Sequence, residues 1–206
     1  MHQFDNSVNS WLAHSARPEQ GIPAQDYSTH VSNVCTRCRH FVSQIKPPAA
    51  MQRYFDFLTA RLMLAAEYHD LGKLAAANQA VLRGLRKART LPIKHWDAGA
   101  MYMTQCCAPL SALLIYAHHK GLPDLCAQNH DKSLKYGSGD ETSREDSKHN
   151  LQEYLELHNS VMPWSKGKIK KIMCKIEEKD PVSARLLLSC LVDADHSDTA
   201  VNYNDL

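Results

Sequence analysis

The residues in this chain best suited to chemistry are histidines and aspartates that flank apolar segments. His69 and Asp70 follow the alanine-rich run Ala65-Ala66-Glu67-Tyr68, and Gly72 and Lys73 come directly after them. Imidazole and carboxylate are both ligands of first-row transition metals. A carboxylate has two oxygens, so Asp70 could bridge two ions. Lys73 lies one helical turn after His69, on the same face.

Further candidate ligands occur in four other segments, each beside an apolar stretch: His30, His95, the pair His118-His119, and Asp195. Helical bundles build metal sites from inward-facing side chains of this kind. One predicted ion has four protein ligands: His30, His69, Asp70 and Asp195. A second predicted ion, bridged by Asp70, is held by His95, His118 and His119. A helix C-terminus also favours protonated histidine, which is the competing interpretation of the adjacent pair.

This ligand set predicts phosphoryl chemistry. Two ions about 3.5–4 Å apart clamp a phosphate and activate water for in-line attack. Mixed histidine and carboxylate ligands favour Mn, Fe, Co or Ni over calcium, with Mg as a further candidate. The ammonium of Lys73 would neutralise charge that builds on the phosphoryl oxygens.

Hydrophobic periodicity predicts an all-α protein, a helical bundle with a metal site at its centre. The predicted helices are 28–45, 54–68, 78–87, one that begins near His95, 110–117, 151–158 and 182–195. A basic, partly helical segment covers 164–179. Residues 128–150 are polar and poor in large apolar side chains, which predicts a flexible insertion. Basic residues at 83–89 form either a solvated face or a contact to a phosphate backbone.

Composition indicates one domain over residues 1–206. Hydrophobic residues make up 44% and charged residues 22%, and the net charge of +2 gives no global polybasic character. No secretory signal or membrane span is recognisable, so we expect a cytoplasmic location. Cys35 and Cys38 have the spacing of half a zinc knuckle, but no second Cys-x-x-Cys accompanies them, which favours free thiols.

The combined motifs resemble the HD phosphohydrolase superfamily. They are most similar to the HD nuclease domain of the CRISPR type I nuclease-helicase. The segments that carry the resemblance are 12–15 with His14, His30, His69-Asp70-Leu71-Gly72-Lys73, His95 with Gly99-Ala100, His118-His119-Lys120-Gly121-Leu122, and Leu191-Val192-Asp193-Ala194-Asp195. The doubled histidine and Asp-Ala-Asp are more specific than His-Asp. Members of that family often have a glycine where Lys120 stands.

The resemblance implies an all-α HD domain that cleaves single-stranded DNA with two divalent transition-metal ions in antiviral defence. It implies endonuclease action, with exonuclease action in addition. The partners would be a superfamily 2 helicase, fused or separate, and a Cascade-type surveillance complex. The seven ligands named above would bind metal, Lys73 and Asp70 would be catalytic, and His14 or Asp193 would support the ligands from outside.

Two other functions remain open at this stage. An HD phosphohydrolase that acts on a nucleotide or cyclic dinucleotide would use the same ligands, in a closed pocket rather than an open groove. A non-enzymatic binding module with degenerate histidines is the third reading, and the intact ligand set argues against it.

Overall fold

The computed structural model describes residues 10–122, 140–162 and 181–204. The all-α prediction is confirmed, since these residues form seven α-helices and a short two-stranded sheet. The strands are β1 (Leu12–His14) and β2 (Gln25–Asp26). The helices are α1 (Tyr27–Ser43), α2 (Gln52–Tyr68), α3 (Ala76–Leu82), α4 (His95–Gln105), α5 (Pro109–Lys120), α6 (Glu141–Val161) and α7 (Pro181–Asn202). The predicted basic helix at 164–179 and residues 128–139 lie outside the described residues.

Strands β1 and β2 form a short hairpin that the sequence analysis did not predict. Its strands pair antiparallel, with Leu12 opposite Asp26 and His14 opposite Gln25. The strands are too short for a period-two pattern to be visible in the sequence. The side chain of Gln79 on α3 holds β1 in place, because its amide nitrogen donates to the Leu12 carbonyl and its oxygen accepts from the Leu12 amide.

Two glycines allow α4 to approach the end of α2 very closely. A Cβ on Gly99 would lie 2.0 Å from the carbonyl oxygen of Tyr68, and a Cβ on Gly72 would lie 2.7 Å from the carbonyl oxygen of His95. Only a residue without a side chain fits at either position. The contact sets the start of α4 directly against the His69–Gly72 segment.

Helix α6 begins well before the residues expected to be helical. Residues 141–150 were predicted to belong to a flexible insertion, but they form the first half of this helix. The Asp140 carboxylate accepts a hydrogen bond from the Ser143 amide and so caps the N-terminus of α6. Serines occupy the buried face at this end, where Ser143 and Ser147 are fully buried. Apolar periodicity therefore could not reveal the helix.

Helix α3 is shorter and α7 longer than predicted. Gly84 adopts a positive φ of 72° just past the end of α3, so 83–90 is not helical. Helix α7 continues to Asn202 rather than ending at Asp195. Its buried face changes along its length from apolar residues to two buried aspartates, Asp195 and Asp198.

The apolar core lies between α1, α2, α4, α5 and α7. Cys35 and Cys38 are buried within it, and burial raises the pKa of Cys35 to about 12. Both are free thiols in the core. Over the described ranges, no helix combines the length and apolar character that a membrane span requires.

Candidate metal centre

Asp70 lies at the centre of the histidine cluster and uses its two oxygens differently. Its Oδ2 is 3.1 Å from His30 Nε2 and 3.4 Å from His69 Nε2. Its Oδ1 is 3.5 Å from His95 Nε2. Asp70 follows α2, and its side chain is almost completely buried. One carboxylate therefore faces two separate groups of imidazoles.

The first group consists of His30, His69 and Asp70, all buried. Their ligand atoms lie within 4.8 Å of one another. Asp195 adds a second carboxylate, since its Oδ1 is 3.3 Å from His30 Nε2 and 3.8 Å from His69 Nε2. The four predicted ligands of the first ion thus converge from α1, α2, the turn after α2, and α7.

The second group consists of His95, His118 and His119, which also meet within 4.8 Å. His95 begins α4, and the other two end α5. The buried Nε2 atoms of His95 and His118 have no hydrogen-bond partner within the residues described. Buried imidazole nitrogens without partners are costly, and a metal ion is one group that would satisfy them. The His/Asp groups as a whole could hold a metal ion.

Hydrogen bonds fix the tautomers of three of these histidines. His69 Nδ1 donates to the carbonyl of Ala66 at 2.8 Å, and His118 Nδ1 donates to the carbonyl of Ile115. His30 Nδ1 donates to Asp198 Oδ2 at 2.8 Å. In each case Nε2 is turned toward the cluster. Metal-binding histidines are commonly oriented this way, through a hydrogen bond from the nitrogen that does not bind metal.

The two halves of the cluster differ in charge. Burial alone would raise the pKa of Asp70, but Lys73 and His69 outweigh it and hold that pKa well below its usual range. Burial likewise opposes charge on His30, yet Asp195, Asp198 and Asp70 together raise its pKa to about 10. Since a metal ligand must be neutral imidazole, a metal bound at His30 would displace a proton.

The second group is neutral. Burial, followed by repulsion from His119, lowers the pKa of His118 to about 3. Burial also lowers the pKa values of His95 and His119. These imidazoles therefore keep their lone pairs at physiological pH, beside the ionised Asp70. A cation bound here would have neutral nitrogen ligands from the imidazoles and a negative charge from Asp70.

Asp198 is the main participant that the sequence did not indicate. Its Oδ2 accepts from His30 Nδ1 and from Gln25 Nε2, each at 2.8 Å, and its Oδ1 accepts from Asn33 Nδ2 at 2.7 Å. The only available signal was its position one helical turn after Asp195. Asp193, the predicted supporting aspartate, is exposed. Two residues along a helix point to nearly opposite sides, so Asp195 turns inward and Asp193 outward.

Lys73 lies beside the first group and is held by two contacts. Its Nζ is 2.6 Å from Asp70 Oδ2 and 3.3 Å from Nε2 of His14. His14 Nδ1 donates to Gln25 Oε1 at 2.6 Å. Burial and then Lys73 lower the pKa of His14 to about 4, so its Nε2 can accept from the ammonium. His14 was predicted to support the ligands from outside. In the structure it lies beside Lys73 and is linked through Gln25 to Asp198.

The basic segment at 83–89 borders a surface cleft. The cleft has a volume of about 500 Å³ and is lined by Ser15, Pro18, Leu82, Arg83, Arg86 and Lys87, among others. Arg83 donates to the carbonyl of Ser10 and so also anchors the chain before β1. Arg86 and Lys87 are exposed on the cleft. Ser15, which lines the cleft, is the residue after His14.

The chain was compared with protein-family models, curated proteins and solved structures, and none of the three comparisons gave a match.

Proposed function

We propose that this protein is a metal-dependent phosphodiesterase that cleaves single-stranded DNA. The observation that carries the proposal is the position of Asp70, whose Oδ2 faces His30 and His69 while its Oδ1 faces His95. A carboxylate shared between two imidazole groups is the arrangement that a bridging ligand requires. The donor set of nitrogens and carboxylate oxygens suits Mn, Fe, Co or Ni, with Mg as a further candidate.

The residues divide into two ligand sets around Asp70. The first ion would be held by His30, His69, Asp70 and Asp195, and the second by Asp70, His95, His118 and His119. Such a pair supplies, when bound, Lewis-acid polarisation of the phosphoryl oxygens and a lowered pKa of water. The unpartnered Nε2 atoms of His95 and His118 support the second set.

Lys73 would act on the substrate rather than on the ions. Its ammonium is already oriented by Asp70 and by neutral His14. An ammonium has three donors, so one remains for a phosphoryl oxygen. A pre-oriented donor at developing negative charge lowers the barrier without reorganisation during the reaction.

One surface feature favours a polynucleotide as the substrate. The cleft beside Ser15 carries Arg86 and Lys87 above apolar side chains such as Leu82 and Pro18. Cations beside apolar surface match the phosphates and bases of a single strand. The net charge of +2 is too small to hold a polyanion tightly at physiological salt. The resemblance to the HD nuclease domain implies that a superfamily 2 helicase and a Cascade-type complex would deliver the strand in CRISPR defence.

Hydrolysis of a nucleotide or cyclic dinucleotide is the second candidate. A cavity of about 340 Å³ adjoins His95 and His119, and this volume falls in the range of small-molecule sites, about 300–1,000 Å³. The same ion pair would serve either substrate.

Circular single-stranded DNA with Mn²⁺ separates these functions. The proposal expects metal-dependent nicking of the circles, blocked by a chelator, with linear product appearing before short fragments. Cleavage confined to linear DNA would indicate an exonuclease. If the circles stay intact with Mn, Fe, Co and Ni while mononucleotides or cyclic dinucleotides are hydrolysed, the second candidate replaces the first. A protein that hydrolyses none of these is not the enzyme proposed.

A further inference from the structure

A cavity of about 340 Å³ opens to solvent beside the second histidine group. His95 and His119 form one side of it, and Lys94, Trp96 and Lys120 lie around them. The cavity therefore begins where the proposed second ion would lie. A group bound in it would sit next to the reacting phosphate.

The described residues that line this cavity include cations but no carboxylate. Lys94 comes from the start of α4 and Lys120 from the end of α5, so two elements contribute the charge. The backbone amide of Lys94 donates to Ser143 Oγ at 2.8 Å, and this hydrogen bond holds the main chain of Lys94 in place. The Nζ of Lys120 lies 5.9 Å from the centre of the Trp96 ring, within the range of a cation–π contact.

The charge around the cavity matches an anion better than a neutral ligand. Lys94 and Lys120 flank the two imidazoles, and no acidic side chain is among the described residues that line the cavity. The N-terminus of α4 and the C-terminus of α5 both lie at the cavity, and their opposite partial charges offset each other, so the positive charge comes from the two lysines. Phosphate is the anion that the proposed reaction brings to this place.

We propose that Lys94 and Lys120 bind the phosphodiester next to the one that is cleaved, in a single-stranded polynucleotide. The inference rests on the proposed function, since it assumes that the reacting phosphate lies at Asp70. A strand that crosses the histidine cluster carries its adjoining phosphate past His119 toward these lysines. A mononucleotide has no such second phosphate.

Salt-dependent binding provides the test. The double variant Lys94→Gln/Lys120→Gln is compared with Lys46→Gln/Lys148→Gln, which removes two exposed lysines away from the cavity. Binding of fluorescently labelled (dT)12 to chelator-treated protein is measured by anisotropy over a range of KCl concentrations. For a single strand, each phosphate contact makes the plot of log K against log salt concentration steeper by about 0.7. Because both lysines contact the same phosphate, the cavity variant should flatten the slope by about 0.7, and the control variant should leave it unchanged.

Three outcomes decide the inference, and a separate measurement tests the function. Equal slopes in the cavity variant and the wild type would overturn it. Equal loss of dTMP and (dT)12 binding would also overturn it, because the site would then recognise a single nucleotide phosphate. A flattened slope with unchanged dTMP binding, in a variant that takes up as much Mn²⁺ as the wild type when the metal is added back, supports it. Cleavage of circular DNA by the wild type tests the proposed function independently, because the binding assay involves no turnover.

Discussion

The substitution Gly72→Ala should weaken binding of the second proposed ion and leave binding of the first unchanged. A Cβ at this position would lie 2.7 Å from the carbonyl oxygen of His95 and 2.8 Å from its Cα. Ordinary contact begins at 3.4 Å, so the backbone at His95 must move away by about 0.7 Å. His30 and Asp195 lie on other elements. His69 and Asp70 lie in the same segment as Gly72 but are held by the Ala66 carbonyl and by Lys73, so we expect His95 to move instead. The variant therefore moves one ligand of the second ion and none of the first.

The size of the effect follows from the tolerance of metal sites. Ligand distances are normally kept to within about 0.2 Å, so a shift of about 0.7 Å is several times too large. Losing an outer group that orients a ligand costs about 10–100-fold in metal affinity, or about 1.4–2.7 kcal/mol. Displacing the ligand itself should cost at least as much. Isothermal titration with Mn²⁺ should show two sites in the wild type and one strong site in the variant.

Gly84→Ala is the matched control. Gly84 has a positive φ of 72°, and a Cβ there would meet nothing within 4 Å. Left-handed backbone costs an alanine about 1–2 kcal/mol, so this variant should also lose stability. Its two Mn²⁺ sites should remain. The reasoning fails if Gly72→Ala binds both ions with wild-type affinity, or if Gly84→Ala loses the second ion to the same extent.

Three other substitutions test the remaining parts of the site. Asp70→Ala should abolish turnover and reduce the content of both ions; metal analysis showing full occupancy of both sites would refute the bridging role. Lys73→Ala should lower turnover by about 10²–10³ with metal content intact, and wild-type turnover would leave Lys73 without a catalytic role. Arg86→Glu with Lys87→Glu should raise the dissociation constant for single-stranded DNA more than Arg144→Glu, an exposed control on α6; equal constants would make 83–89 a solvated face.

The central histidines and aspartates could be predicted because each lies beside an apolar segment. His69 and Asp70 follow the buried stripe of α2, and His118 lies in the last turn of the apolar helix α5. A polar residue that ends an apolar run must be paired or buried with a partner. The resemblance to HD domains supplied the same residues, and the structure brings all seven together.

The parts that sequence reasoning missed depend on contacts between distant polar residues. Asp198 looks like an ordinary aspartate near a helix end, and only the fold shows that Gln25 and Asn33 surround it. The start of α6 was missed because Ser143 and Ser147, rather than apolar residues, face the interior. Ser143 is buried there because its hydroxyl donates to Asp97 and accepts from the Lys94 amide. Small polar side chains satisfied by long-range hydrogen bonds leave no periodic pattern.

The bond between His30 and Asp198 spans 168 positions of the chain, and this spacing has a consequence for synthesis. While a ribosome is still making the protein, α1 and α2 emerge long before α7. A nascent chain at that stage has His30, His69 and Asp70 but lacks Asp195 and Asp198. Its first ligand set is incomplete, and His30 is not yet oriented. The first metal site proposed for this chain would therefore be completed only when α7 docks.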